Sequence, residues 1–150
     1  MFKTRAGSGA RLSGMASIIV DTPIAVPADA AWAVIGDWAT GPARMAPGWV
    51  TDVRTEDDHR IVTFANGAVF RERFIGIDQA ARRVAYAISG DAVHPDHHNA
   101  AMQILPDGPT SCRLYWTQDV LPHTLAVRLE TGMTASAKVI KSTLESAGAR

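Results

Sequence analysis

The chain predicts an α+β domain: a curved, seven-stranded antiparallel sheet wrapped around one long C-terminal helix, with two short helices after the first strand. Three observations carry this expectation. Short strand-like runs separated by tight turns fill residues 49–120. One long amphipathic pattern follows them. No other element is long enough to cover the apolar face of such a sheet, so helix and sheet must cover each other.

Ser17 to Val26 alternates as a strand, with Ile18, Val20, Thr22 and Ile24 on one face. Pro27 and Asp29 then signal a helix N-terminus, and Ala31, Val34, Ile35 and Trp38 supply its apolar stripe. Gly36 and Gly41-Pro42 break that helix, and a second short one covers Ala43 to Ala46. Strands are expected at 49–55, 60–65, 68–77, 82–89, 97–105 and 111–120. Asn66-Gly67 between two apolar runs predicts a tight hairpin with a type I′ turn, which needs positive φ at both positions. Asp107-Gly108-Pro109 closes another hairpin. A sheet of this many strands must twist and curl. From Pro122 to about Ser146, the residues Leu125, Leu129, Met133, Ser136, Ile140 and Leu144 recur at helical spacing and form the inner stripe of the last helix.

Composition narrows the function. Fifteen basic and fifteen acidic side chains give a formal charge of zero. No electrostatic footprint for nucleic acid follows, and weak charge repulsion makes a homodimer possible. No apolar run approaches the ~18 residues of a membrane span. The first fifteen residues are small, polar and basic, and lack the apolar core of a secretory signal. They are expected to be a disordered leader (1–15), with Met15 a candidate start, ahead of one ligand-binding domain (16–150). The single Cys112 cannot form an internal disulfide, which fits a cytoplasmic setting. It reads as a small core residue rather than a nucleophile. No Gly-x-Ser-x-Gly motif, phosphate loop or dinucleotide fingerprint is present.

Three segments, VPADAAWAVIGDWA (26–39), FRERFIGIDQAARRVAYAI (70–88) and SCRLYWTQDVLP (111–122), give the chain a family likeness. It resembles the START-like or SRPBCC superfamily, which includes the polyketide cyclase/dehydrase family, the birch-pollen allergens and the plant abscisic-acid receptors. The resemblance spans roughly Ser17 to Ala147. It implies a helix-grip fold with an internal cavity for a lipid, polyketide or similar ligand. Members include carriers, receptors and enzymes, so the fold does not choose among them. In the abscisic-acid receptors a glutamate at the matching Glu-Arg position joins a polar network in the pocket, and Glu72 looks like its counterpart. Those receptors carry a tyrosine where Ala100 follows Asn99 here, and their gate loops are not recognisable, so hormone binding is not implied.

Strand alternation assigns the cavity face. Two arginines are poor core residues, so Arg71 and Arg73 point outward and Phe70, Glu72 and Phe74 inward. The same reasoning gives inner rows Trp49–Thr51–Val53, Val62–Phe64, Val84–Tyr86–Ile88, His98–Ala100–Met102–Ile104 and Cys112–Leu114–Trp116. The ligand-contacting set is therefore Trp49, Phe64, Phe70, Glu72, Phe74, Tyr86, Ile88, His98, Met102 and Trp116 from the sheet, with Met133, Ser136 and Ile140 from the helix. Aromatic and thioether walls with a few polar tips suit a small-molecule site. The alternative for Glu72 is a structural salt bridge or a bulge that turns it outward.

His94-Pro95-Asp96-His97-His98 matches no zinc-site spacing, and Pro95 splays its side chains. No metal site and no cofactor are expected; His98 is expected to turn inward as a hydrogen-bonding group at the cavity mouth. Binding or carriage of a small hydrophobic molecule is the leading reading. A cyclase/dehydratase-type enzyme with Glu72 as acid/base, helped by His98 or Tyr86, comes second. A protein-interaction module comes third, and would show an exposed Trp38 or Trp49.

Overall fold

The seven expected strands all form and pair antiparallel in one curved sheet. The computed structural model describes residues 2–4, 16–91 and 93–148. In chain order the elements are β1 (Phe2–Thr4), β2 (Ala16–Ile24), α1 (Ala28–Ile35), α2 (Gly41–Met45), β3 (Val50–Glu56), β4 (His59–Phe64), β5 (Val69–Asp78), β6 (Arg83–Asp91), β7 (His97–Pro106) and β8 (Cys112–Leu121). A 3₁₀ turn (His123–Leu125) then leads into α3 (Ala126–Gly148). The sheet order is β1-β2-β8-β7-β6-β5-β4-β3. The first long strand thus lies beside the last, and β3 forms the far edge. Most of the leader expected over residues 1–15 lies outside the described residues; within it, Phe2–Thr4 pair with Ala16–Ile18 as a short edge strand.

The inner face and α3 form the core. Ile18, Ile24, Ile104, Leu114 and Val120 are fully buried, as are Ile35 of α1 and Ile140 of α3. Leu129, Met133, Ser136, Ile140 and Leu144 form the buried stripe of α3, joined by Ala126 and Ala137. Cys112 is buried, and burial pushes its thiol pKa up, which suits a packing residue. The C-terminal half of α3 is clamped to the end of β2. Lys141 Nζ donates to the Pro23 carbonyl at 2.7 Å and pairs with Glu145, whose carboxylate accepts from the Ala25 amide at 2.8 Å.

Gly36 follows α1 for a steric reason. Its φ is an ordinary −78°, but a Cβ there would lie 2.6 Å from the Trp32 ring. The ring is held by its Nε1–H donating to Gln79 at 2.8 Å.

Two local expectations are corrected. The row Trp49–Thr51–Val53 is broken by a bulge, because Val50 pairs with Phe64 but Asp52 with Thr63. Val50 turns inward, and Thr51 is exposed with its hydroxyl donating to the Thr63 carbonyl at 3.3 Å. The Asn66-Gly67 connection is not a two-residue type I′ turn. Gly67 has φ +90°, but Asn66 is not among the non-glycine residues with positive φ. Phe64 N–H donates to Ala68 O at 2.8 Å and Gly67 N–H to Phe64 O at 2.9 Å. This is a three-residue loop with its left-handed residue last. Asn66 Oδ1 stabilises it by accepting from the Ala68 amide at 2.9 Å.

That extra loop residue sets the register. Thr63 faces Val69 and Arg60 faces Glu72 across the hairpin. A two-residue loop would have paired Ala65 with Ala68, set Arg60 opposite Arg73, and left Arg60 and Glu72 on opposite faces.

Candidate ligand cavity

Between the inner face of the sheet and the first half of α3 lies a cavity of about 320 Å³. A smaller lobe of about 60 Å³ runs towards α2, lined there by Pro42, Met45 and Ala46. The lobes share Trp49, Phe64, Glu72, Tyr86, Trp116 and Ser136. The exposed members of the larger lining are Asn66 at the hairpin tip and Arg128, Thr131 and Gly132 on α3, so the cavity opens between hairpin and helix. An engineered cavity of about 150 Å³ takes up benzene. The larger lobe therefore has room for a molecule of two fused rings.

Small residues on α3 keep this space open. Gly132 lies in the helix interior, where glycine costs roughly 0.5–1 kcal/mol relative to alanine. A Cβ at Gly132 would meet nothing within 4 Å. Phe64 and Phe70 pack edge to face at 5.5 Å across the hairpin and wall the cavity near its mouth.

The polar groups of the wall bind one another. Glu72 is 8% exposed and Arg60 only 3%. Arg60 Nε donates to Glu72 Oε1 at 2.8 Å, and Nη1 donates to the Trp38 carbonyl at 3.2 Å. The guanidinium stacks 3.9 Å over the Trp38 ring and lies 5.5 Å from that of Tyr86. Trp49 Nε1–H donates to Ser136 Oγ at 2.8 Å, tying the start of β3 to α3. Trp116 Nε1–H donates to the Tyr86 hydroxyl at 3.0 Å. Burial, and after it the Glu72 carboxylate, push the Tyr86 pKa upward, so it is a neutral phenol. Among the described residues no buried side-chain polar atom lacks a partner.

Eleven of the thirteen residues expected at the site meet at the cavity: Trp49, Phe64, Phe70, Glu72, Tyr86, Ile88, Met102, Trp116, Met133, Ser136 and Ile140. Two do not line it. Phe74 points to the same face, but its ring packs edge to face on Trp38 at 5.2 Å, behind the stacked guanidinium. His98 turns inward as expected but sits beneath the wall. The β6–β7 ladder ends at the Tyr86–Ala100 pair, and His98 Nδ1 accepts the Ile88 amide beyond it, at 2.9 Å. A backbone amide only donates, so Nε2 carries the proton and donates to Gln118 Oε1 at 2.7 Å. Both ring nitrogens are engaged, while His94 and His97 are exposed, so the three imidazoles do not converge.

Arg60 and Gln118 are the buried polar wall residues that sequence reasoning missed; it also left out Met45 and Val50 of the smaller lobe and Leu129 and Gly132 of the larger. Arg60 was findable: it stands two residues before Val62 and four before Phe64, on the face assigned inward. Gln118 follows Trp116 by the same rule.

The helix clamped over the concave face of an antiparallel sheet, with an apolar cavity between them, defines a helix-grip fold. The chain belongs to the polyketide cyclase / dehydrase and lipid transport family, whose model matches residues 15–148. No curated protein matches it. Among solved structures, a Bacillus thuringiensis protein superposes with TM-score 0.75 at 12% identity, over 85% of this chain and 98% of that one. Norcoclaurine synthase from Thalictrum flavum, solved with dopamine and hydroxybenzaldehyde, gives 0.65 at 20% identity, over 85% of each chain. The di-domain ARO/CYC protein of the BE-7585A biosynthetic pathway gives 0.69 at 13% identity, over 86% of this chain and 46% of that one. At these identities the likeness is one of fold.

Two outcomes follow from the wall. Replacing Arg60 by Met strands a buried carboxylate and should destabilise the protein by about 3–5 kcal/mol, whereas R60M/E72L should recover most of that loss. Urea denaturation of the single and double variants measures both. Burial also holds the His98 pKa below its ordinary 6.5. The unfolded chain then binds more protons than the folded one between the two values, so stability is full above 6.5 and falls as pH drops below it. Thermal melts between pH 7.5 and 5 should show this slope, and H98Q should flatten it.

Proposed function

We propose that the protein binds and carries one small, largely apolar molecule of about two-ring size in this cavity. The observation that carries the reading is the chemistry of the wall. Its polar side chains are matched to one another (Arg60 to Glu72, Trp49 to Ser136, Trp116 to Tyr86), so the surface offered to a ligand is mainly aromatic and aliphatic. Such a wall favours apolar surface and disfavours charge. Family membership supports the same reading. Among the described residues no helix is long and apolar enough to cross a membrane. A cytoplasmic setting belongs to the proposal, supported by the single buried thiol. The interaction-module reading loses its support, because Trp38 and Trp49 both pack against the core.

A catalytic role for Glu72 is the second reading. It is favoured by one detail: Arg60 engages only Oε1, and the residue lines both lobes. Norcoclaurine synthase, with its two bound aromatic molecules, is an enzyme on the same fold.

Native mass spectrometry of the purified protein, followed by denaturing extraction, tests the carrier reading: a bound mass of a few hundred daltons supports it. Gly132→Trp fills the mouth and should abolish that co-purification with the melting temperature nearly unchanged. An equal yield from wild type and G132W places the ligand elsewhere. With the extracted compound class as substrate, Glu72→Gln separates the readings. Lost turnover supports the enzyme, and a modest change in affinity with no turnover in either protein supports the carrier.

A further inference from the structure

The most deeply buried hydroxyl of the wall, that of Tyr86, donates to no acceptor among the described residues. Tyr86 is 2% exposed and lines both lobes. A phenol offers one proton and accepts through its oxygen lone pairs. The groups around this phenol are mainly donors. Trp116 Nε1 is donor-only and points at the oxygen. Arg60 is donor-only and lies beside the ring. Gln118 also lines the larger lobe, but its carbonyl oxygen is taken by His98 Nε2–H.

The polarity is dictated from the backbone outward. The Ile88 amide fixes the His98 tautomer, and the tautomer fixes the orientation of the Gln118 amide, whose oxygen is thereby withdrawn as an acceptor. Glu72 acts on Tyr86 through its charge, and no hydrogen bond joins them. The phenolic proton is therefore left for the cavity, and a buried donor without an acceptor is destabilising.

We infer that the molecule bound in the cavity is uncharged and carries a carbonyl oxygen that accepts the Tyr86 proton. The inference rests on the carrier reading and adds the chemical class. A carbonyl is a strong neutral acceptor and fits beside flat rings. A charged ligand is disfavoured, because Arg60 and Glu72 neutralise each other and the remaining wall cannot replace an ion's hydration.

Tetralin and 1-tetralone share one two-ring skeleton and differ at a single carbonyl. Trp49 and Trp116 line the cavity, so intrinsic fluorescence reports binding of either. Tyr86→Phe should weaken 1-tetralone about tenfold more than tetralin, the size of one lost hydrogen bond. In the wild-type complex the infrared carbonyl stretch of 1-tetralone should lie below its position in an alkane, a readout that does not depend on the variant's folding. An unshifted stretch, or equal weakening of both probes by Y86F, overturns the inference while tetralin binding still upholds the cavity. If neither probe binds the wild-type protein, the carrier reading falls and takes this inference with it.

Discussion

The pairing of Arg60 with Glu72 is the constraint on which the cavity depends. Two charges sit on the inner face of the sheet, where either alone would be strongly destabilising. They are tolerated because adjacent strands hold them directly opposite each other at 2.8 Å. That opposition exists because the hairpin turns through three residues, with Gly67 in a left-handed conformation. Trp38 covers the guanidinium and Phe74 supports Trp38, so the pair is closed in from the side away from the cavity. The wall is then electrically neutral, although it contains a carboxylate and a cation.

A second polar run begins where the sheet stops pairing. Past Tyr86, β6 parts from β7 and the Ile88 amide loses its ladder partner. A buried amide needs an acceptor, and the His98 ring supplies it. What a sequence pattern marks as an oddity, an imidazole among apolar residues, is here a replacement for a missing backbone bond. Its consequence reaches the ligand space, because the tautomer it imposes orients the amide of Gln118, which lines the larger lobe.

The helix completes the site unevenly. Its C-terminal half is held to the end of β2 by Lys141 and Glu145, while its first half spans open space lined by Gly132, Met133 and Ser136. The mouth lies on that half, between Gly132 and the hairpin tip.

Period-two alternation and one long helical stripe were enough to read the architecture and eleven of the thirteen proposed wall residues from the sequence, because burial on one face leaves a direct imprint on residue type. The type I′ turn, the row through Thr51, and cavity contacts for Phe74 and His98 could not be read correctly. A loop one residue longer and a bulge at the edge strand leave no such imprint, since both depend on how strands meet. Arg60 shows the boundary well: its face was legible from Val62 and Phe64, but its partner was not, because only the register of the folded hairpin decides whether Glu72 or Arg73 stands opposite. The sequence by itself determined a sheet around a helix with an apolar inner face. The tertiary structure alone decided which buried polar groups satisfy one another, because hydrogen bonding depends on distances between residues far apart in the chain.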